Sequence, residues 1–529
     1  MTSPMPHSPF PRDLLRRALH RHPEREALVW EGGSWTYAEL RAAALTAAGA
    51  LAARGIGAGD RVALVLRNGP EFVAAHLAIA WLGAVRVPLN EMLSATDVAY
   101  MLDHSGAAGV IAHASLAARV PDHACPACRL RVAEDATPDG WMPDGWEDHA
   151  AALAAIDPRA PDPDWPDVAP DDPAMILYTG GTTGRSKGVL HTQAALGANL
   201  LSHVMHCDIE EDDRLLLSTP LPHSAHLVAE AALVRGARIT LSRGFDAGTT
   251  LAAVGAGEAT WLFLVPTMIY RLLDHPNLAA TDTRGLRTIL YGAAPMAPAR
   301  LKAGLAAFGQ VFVQLYGLTE VPNFICQLPK ADHLDPTLRG ACGRPTAFCD
   351  VRISGEGGND GTGEVEVRGA YTLARYHDDP ERTADAFTPD GWFRTGDVGY
   401  LGPTGHLHLI DRAKDMIVTG GMNVYSVEVE GALATHPSVA QAVVIGVPDD
   451  DWGEAVVAFV VPRGEYHAEE GESDFDPEAL RKHCRATLAR YKVPKRIEMI
   501  AAIPLTAYGK PDKKRLRAPF WEGRHRGIG

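Results

Sequence analysis

Residues 176 to 189 read ILYTGGTTGRSKGV, an apolar strand that runs into three glycines and three threonines ahead of Lys187. Glycines let a backbone come close to a phosphate, successive amides and hydroxyls donate to its oxygens, and a lysine adds positive charge. Thr179, Gly180, Gly181, Thr182, Thr183 and Lys187 are therefore candidate ligands of a phosphate group. The segment departs from the Walker A pattern, because Ser186 precedes the lysine and Gly188 follows it, where that motif needs Gly and then Ser or Thr.

Outward from this loop the chain has the rhythm of a wound α/β protein. From Thr36 to about Val120, alanine-rich helical segments alternate with short apolar runs such as RVALVL (61–66) and AAGVIAHA (107–114). Residues 134–173 are dense in Pro, Asp and Gly and predict a surface connector with one short helix, AAALAAI (150–156). A second α/β stretch follows, with strands expected at 214–217, 261–265, 288–291 and 311–316. Beyond Arg339, the short alternating segments DVRI, GEVEVRG and GHLHLIDR predict a small β-rich subdomain. After Asp411 comes a mixed α+β segment with the strand AQAVVIGVP, the polar helix PEALRKHCRATLARY and a basic tail.

The 529 residues carry a net charge of −15, which argues against nucleic acid as a partner because a polyanion needs a basic face. A chain this long, 46% hydrophobic and 22% charged, is ordinary globular protein and should divide into more than one domain. The first 25 residues hold several arginines and histidines and no signal-peptide core. The most apolar run, Phe72 to Leu82, is interrupted by His76 and predicts a buried helix, so no membrane span is expected. Seven dispersed cysteines fit a reduced, cytoplasmic protein. Cys125 and Cys128 have a spacing that can hold zinc or do redox chemistry, but no second pair follows at zinc-finger spacing.

YTGGTTGRSKGV resembles the phosphate loop of the adenylate-forming superfamily of acyl-CoA synthetases, aryl-AMP ligases, peptide-synthetase adenylation domains and beetle luciferases. The resemblance continues in the family's order through YGAAP (291–295), YGLTE (316–320), GWFRTGD (391–397), DRAKDMIVTGGMNVYSVEVE (411–430), YKVPK (491–495) and PLTAYGKPDKKRL (504–516). It implies a large N-terminal adenylating domain, 1–413, made of two wound α/β subdomains and the β-rich one, with a small mobile C-terminal domain, 414–529, hinged near Lys414. It also implies ATP, Mg²⁺ and CoA, or the phosphopantetheine of an acyl carrier protein, with a small carboxylic acid as substrate.

The resemblance assigns Glu320 to Mg²⁺, Thr319 to the phosphates, Tyr316 to stacking on adenine, and Asp397 and Arg412 to the ribose and its phosphate. Gly292, Ala293 and Ala294 would pass between adenine and the acyl group. Lys510 would reach the carboxylate oxygen and the α-phosphate, His223 would gate the acyl pocket, and Gly420 and Gly421 would line the thiol's route. Read without the family, several of these residues have plainer roles. Thr319 and Glu320 suit a helix cap, Asp397 an exposed carboxylate in a turn, and the basic tail a solvated surface.

Two departures stand in the phosphate loop, Gly180 where the family usually has Ser and Ser186 where it has Pro. Between Thr219 and Ala229 there is no acidic residue to receive an α-ammonium, and burying that cation unpaired is unfavourable. The asparagine that aryl-acid ligases place there is also missing. The sequence thus points to activation of a non-amino, largely apolar carboxylic acid, cyclic or aromatic acids included, to acyl-AMP and then a CoA thioester. The alternatives are a ligase that loads a carrier protein, a luciferase-like monooxygenase and a non-catalytic nucleotide-binding homologue.

Overall fold

The structure, a computed structural model, describes residues 8–133, 143–157, 165–179, 185–355, 361–463, 476–506 and 511–522. Two wound sheets, a small antiparallel sheet and a separate C-terminal sheet make up the chain. The first wound sheet centres on the parallel strands Arg61–Val65, Val85–Pro88 and Gly109–His113. These are near-continuous apolar runs because helices cover both faces of a parallel sheet. The second wound sheet has Arg238–Leu241, Arg214–Leu217, Trp261–Leu264, Thr288–Tyr291 and Phe312–Tyr316 as parallel neighbours in that order. All but Arg238–Leu241, which the sequence reading missed, lie where the apolar runs predict them, within a residue.

Several helices are started by side-chain caps. Thr36 and Glu39 form a capping box ahead of Tyr37–Ala52, and Ser94 and Asp97 form another ahead of Ala95–Ser105, which Gly106 ends in the left-handed region. Pro70–Trp81 is buried at every residue except Glu71, as the apolar run predicts. Leu15, Leu19, Ala44, Ile79, Val228 and Leu64 belong to one apolar cluster that also takes in Leu215 and Ile239. One helical layer is therefore shared by both wound sheets.

The β-rich subdomain expected beyond Arg339 is a small sheet, Cys349–Ser354, Gly363–Gly369, Phe393–Leu401 and Leu407–Arg412, whose neighbouring strands pair antiparallel. The 3₁₀ turn Ala413–Asp415 connects it to Ile417–Thr419, a strand of the C-terminal sheet. Val439–Asp449, Gly453–Pro462 and the parallel Arg496–Met499 complete that C-terminal layer, against which Pro477–Thr487 packs Leu480 and Cys484. Among the described residues no helix is long and apolar enough to cross a membrane.

Three features differ from expectation. The helix Pro11–Arg21 and the strand Glu26–Trp30 precede the region read as wound, and Glu26–Trp30 pairs parallel with Arg238–Leu241 of the second sheet, not with the first. The supposed connector contributes Glu147–Asp148 to the edge of the first sheet, paired with Cys128–Val132, and buries Trp146 in an apolar cluster with Val120, Ala124 and Cys125. Asp397 lies inside the strand Phe393–Leu401, almost wholly buried, and not in an exposed turn.

Candidate active site

In a wound sheet, ligands bind beyond the carboxyl ends of the parallel strands. Thr288–Tyr291 and Phe312–Tyr316 are hydrogen-bonded neighbours, so Gly292–Ala294 and Gly317–Glu320 emerge side by side. Ala293 and Ala294 are exposed there. Glycine is required at 317, where a Cβ would lie 2.5 Å from the backbone of Asn323. Thr319 and Glu320 stand in a bend, not at a helix start. The Nε2 of buried His191 is 2.9 Å from the Thr319 carbonyl, which fixes that bend from the far strand of the phosphate hairpin.

Asp397 is the most fully engaged of the predicted residues. The Tyr316 hydroxyl donates to its Oδ2 at 2.7 Å and the Arg412 Nε lies 3.0 Å from its Oδ1. Asp397 and Arg412 face each other as partners across adjacent strands, so the backbone itself sets this pair. Asp397 raises the pKa of Arg412 further above its ordinary value, and burial followed by the Asp397 charge pushes the Tyr316 phenol well up. A carboxylate has roughly four lone-pair sites, so two remain to accept from a ligand.

Thr179 pairs with Lys187 across an antiparallel hairpin, and a strand, not a helix, follows the lysine. That topology is the physical reason the motif departs from Walker A. Gly180, Gly181, Thr182 and Thr183 lie outside the described residues, as does Lys510. At Ser186 the expected proline is replaced by a tertiary anchor. The Tyr100 hydroxyl donates to the Ser186 carbonyl at 3.1 Å, and the Arg185 guanidinium sits over the Tyr100 ring at 5.1 Å. The Lys187 ammonium lies 4.7 Å from the centre of the Tyr376 ring, and the Tyr376 hydroxyl donates to Glu320 Oε1 at 2.9 Å. A single carboxylate is the donor set expected for a cation that arrives on ATP phosphates and keeps several of its waters.

His223 occupies a five-residue π turn, Leu221–Ala225, held by polar residues from three elements. Asn68 accepts from the Leu221 amide and donates to the Thr219 carbonyl, and His226 Nδ1 lies 2.9 Å from the Leu221 carbonyl. Asn90 Oδ1 accepts from the Met92 amide, so its Nδ2 faces His223 Nε2, at 2.7 Å. That orientation leaves His223 as the acceptor, with its ring proton on Nδ1. His203 is neutral in the core, pushed down to about 4 by burial, and bonded to Asn323 and the Asn199 carbonyl.

The segment from Thr219 to Ala229 is free of carboxylates, but Glu230 follows it directly and is buried. Burial raises its carboxyl, yet Arg86 at 2.8 Å and His76 at 3.1 Å hold it down to about 2. Its charge is already matched within the core and is not offered to a ligand.

Gly420 and Gly421 form the left-handed tip between Ile417–Thr419 and Met422–Val424, the backbone that a two-residue hairpin demands. The half-exposed Trp452 ring packs against Gly420, where a Cβ would come within 2.5 Å. Lys414 sits at the centre of the 3₁₀ turn between the small sheet and the C-terminal sheet. Cys125 and Cys128 are buried free thiols pushed up by burial to about 12 and about 11. Among the described residues no cluster of His, Cys, Asp and Glu could hold a metal by itself. Tyr376, Asn90 and His191 escaped the sequence reading, since each acts on a residue far away in the chain and none belongs to a motif quoted there.

Residues 15–377 match the AMP-binding enzyme family, and residues 428–510 match the AMP-binding enzyme C-terminal domain. The chain is similar to a medium/long-chain-fatty-acid–CoA ligase of Mycobacterium tuberculosis, 34% identical over 526 residues that cover 98% of this chain and 91% of that protein. It is also similar to the feruloyl-CoA synthase of an Amycolatopsis species, 36% identical with 96% of this chain and 98% of that one covered. Among solved structures it resembles the amide bond synthetase McbA from Marinactinospora thermotolerans, with a TM-score of 0.83, 33% identity, and 96% of this chain and 100% of that chain covered. With the buried Asp397 and Tyr316 joined to Arg412, and matches in both regions, the chain belongs to the AMP-binding, adenylate-forming enzymes and is an AMP-forming acid–thiol ligase.

Proposed function

We propose that this ligase activates a non-amino carboxylic acid with an apolar body and passes its acyl group to CoA. A substrate carboxylate oxygen attacks the α-phosphate of Mg·ATP, pyrophosphate leaves, and the thiol then attacks the acyl carbon and expels AMP. Asp397 accepts from the ribose, Arg412 steadies that carboxylate and approaches the ribose and its phosphate, and Tyr316 lies against adenine. Lys187, Thr179, the loop 180–183 and Thr319 take the phosphates. Glu320 would hold Mg²⁺, which screens the phosphate charge when bound. Lys510 neutralises the charge that develops as two anions meet. His223 gates the acyl pocket and Gly420 and Gly421 line the thiol's path. The phosphopantetheine of a carrier protein is the alternative acceptor, because both present the same thiol arm. Seven unpaired cysteines suit the cytoplasm.

The observation that carries the substrate class is the neutralised Glu230. With its charge bound to Arg86 and His76, Glu230 offers no partner to an ammonium beside the carboxylate-free segment 219–229, and selection falls to shape and apolar area, at roughly 25 cal/mol per Å² buried. Several apolar acids should be turned over, and their α-amino analogues rejected by roughly a hundredfold or more in kcat/KM. Pairs of acids that differ only by the amine, followed by pyrophosphate release with CoA and with a holo carrier protein, test the proposal. A preference for the amino member would overturn it.

The domain boundary is proposed at Lys414. A 3₁₀ turn has φ near −60°, which proline matches, so Lys414→Pro should keep the arrangement seen here while denying the turn other φ values. Thioester formation should then fall at least roughly tenfold more than carboxylate-dependent pyrophosphate exchange. Equal effects on the two half-reactions would place the pivot elsewhere.

A further inference from the structure

Lys187 and Glu320 carry opposite charges into one cleft, yet both meet the same buried aromatic side chain, Tyr376. Among the described residues neither of the two takes part in an ion pair. Tyr376 is itself immobilised from both sides. It lies on the two-residue strand Arg375–Tyr376, opposite Val189 on the lysine's own strand, and the next amide, His377, donates to the Gly188 carbonyl at 2.7 Å. On the other side, the Leu373 amide donates to the Glu320 carbonyl at 2.7 Å, and the Tyr376 amide donates to Thr383 Oγ1 at 3.0 Å. The segment 373–377 therefore ties the phosphate hairpin to the bend after YGLT, and its tyrosine touches the functional group of each.

We propose that Tyr376 is a positioning residue that keeps the phosphate-loop lysine and the carboxylate at 320 apart and aimed, ready for a nucleotide polyphosphate with its divalent cation. The proposal rests on the reading of Lys187 and Glu320 as phosphate and cation ligands. The reason for such a device is electrostatic. A flexible lysine close to a carboxylate tends to collapse onto it, and that pair would have to be broken before phosphate and cation could bind. The ring face supports the ammonium without neutralising it, leaving its N–H donors for phosphate oxygens. The phenol occupies one carboxylate oxygen and leaves the other to the cation. The phenol is the donor in this contact, since a carboxylate can only accept.

The two contacts separate in two variants. Tyr376→Phe keeps the ring under Lys187 and removes the hydroxyl, whereas Tyr376→Leu removes both. Calorimetric binding of Mg·ATP and of ATP in EDTA, with no carboxylic acid present, reads each arm without turnover, and a thermal melt checks folding. Tyr376→Phe should bind Mg·ATP roughly tenfold more weakly, as for loss of a hydrogen bond to a charged group, with metal-free ATP binding nearly unchanged. Tyr376→Leu should lose affinity in both conditions, but in a Lys187→Gln background it should cost metal-free ATP binding little more, because the ring acts on the nucleotide through the lysine. If Tyr376→Leu does not fold, the phenylalanine variant decides alone. Wild-type Mg·ATP affinity in Tyr376→Phe overturns the proposal while leaving the ligase reading intact. A wild-type protein that fails to bind Mg·ATP overturns both. A protein that binds it but releases no pyrophosphate with any acid overturns the ligase reading alone.

Discussion

Replacement of Asp397 by alanine is expected to weaken ATP binding and carboxylate-dependent pyrophosphate release by roughly a thousandfold, the loss of two hydrogen bonds to a charged acceptor. The carboxylate is placed by strand pairing with Arg412 and by the Tyr316 hydroxyl, so its geometry exists before a nucleotide arrives. Truncation also strips the buried phenol of its acceptor and the guanidinium of its counter-charge. Asp397→Asn separates these effects, since the amide keeps the shape and one carbonyl acceptor but not the charge, and should fall between wild type and alanine. Calorimetry with ATP alone, beside pyrophosphate release and a thermal melt, makes the measurement. Unchanged ATP affinity in the alanine variant would remove Asp397 from the nucleotide site.

Lys510→Ala should abolish most acyl-AMP formation, by roughly a hundredfold to a thousandfold, while leaving thioester formation from pre-made acyl-AMP nearly intact. The asymmetry follows from the hinge proposed at Lys414, about which the small domain would turn between the two half-reactions. A cation shared by two reacting anions matters only while they react, and thiol attack on the acyl carbon proceeds with the small domain turned away. Pre-steady-state measurement of each half-reaction, with acyl-AMP supplied for the second, distinguishes this from a general loss of fold. Equal losses in both would assign Lys510 to structure.

The parts of the site legible in the sequence are those whose chemistry is local. The proposed phosphate loop stands out as a candidate because its glycines, threonines and lysine lie together in the sequence, the residue types whose amides, hydroxyls and charge suit a phosphate. The wound strands are legible because a sheet buried on both faces is apolar along its whole length, and Thr288–Tyr291 and Arg214–Leu217 end where their runs end. Asp397 shows the limit. From its neighbours it reads as a turn carboxylate in water, and its burial comes from a partner strand and from Tyr316, 81 positions away.

Length and composition, the order of the motifs and the alternation of apolar runs determined the fold class, several parallel strands of the wound sheets, the β-rich stretch beyond Arg339, and the residue types available for phosphate chemistry. Tertiary structure alone decided which charges remain available to a ligand. Glu230 stands one residue beyond an acid-free segment, and only its contacts with Arg86 and His76, from the first wound subdomain, show that its charge is neutralised. Glu26–Trp30 joins the second sheet although it precedes the first. Tyr376 meets Glu320, 56 positions away, through a segment without a motif. The physical reason is common to all three. Backbone propensity and hydrophobic period act over a few residues, whereas burial, charge pairing and sheet edges depend on what the chain brings alongside from far away.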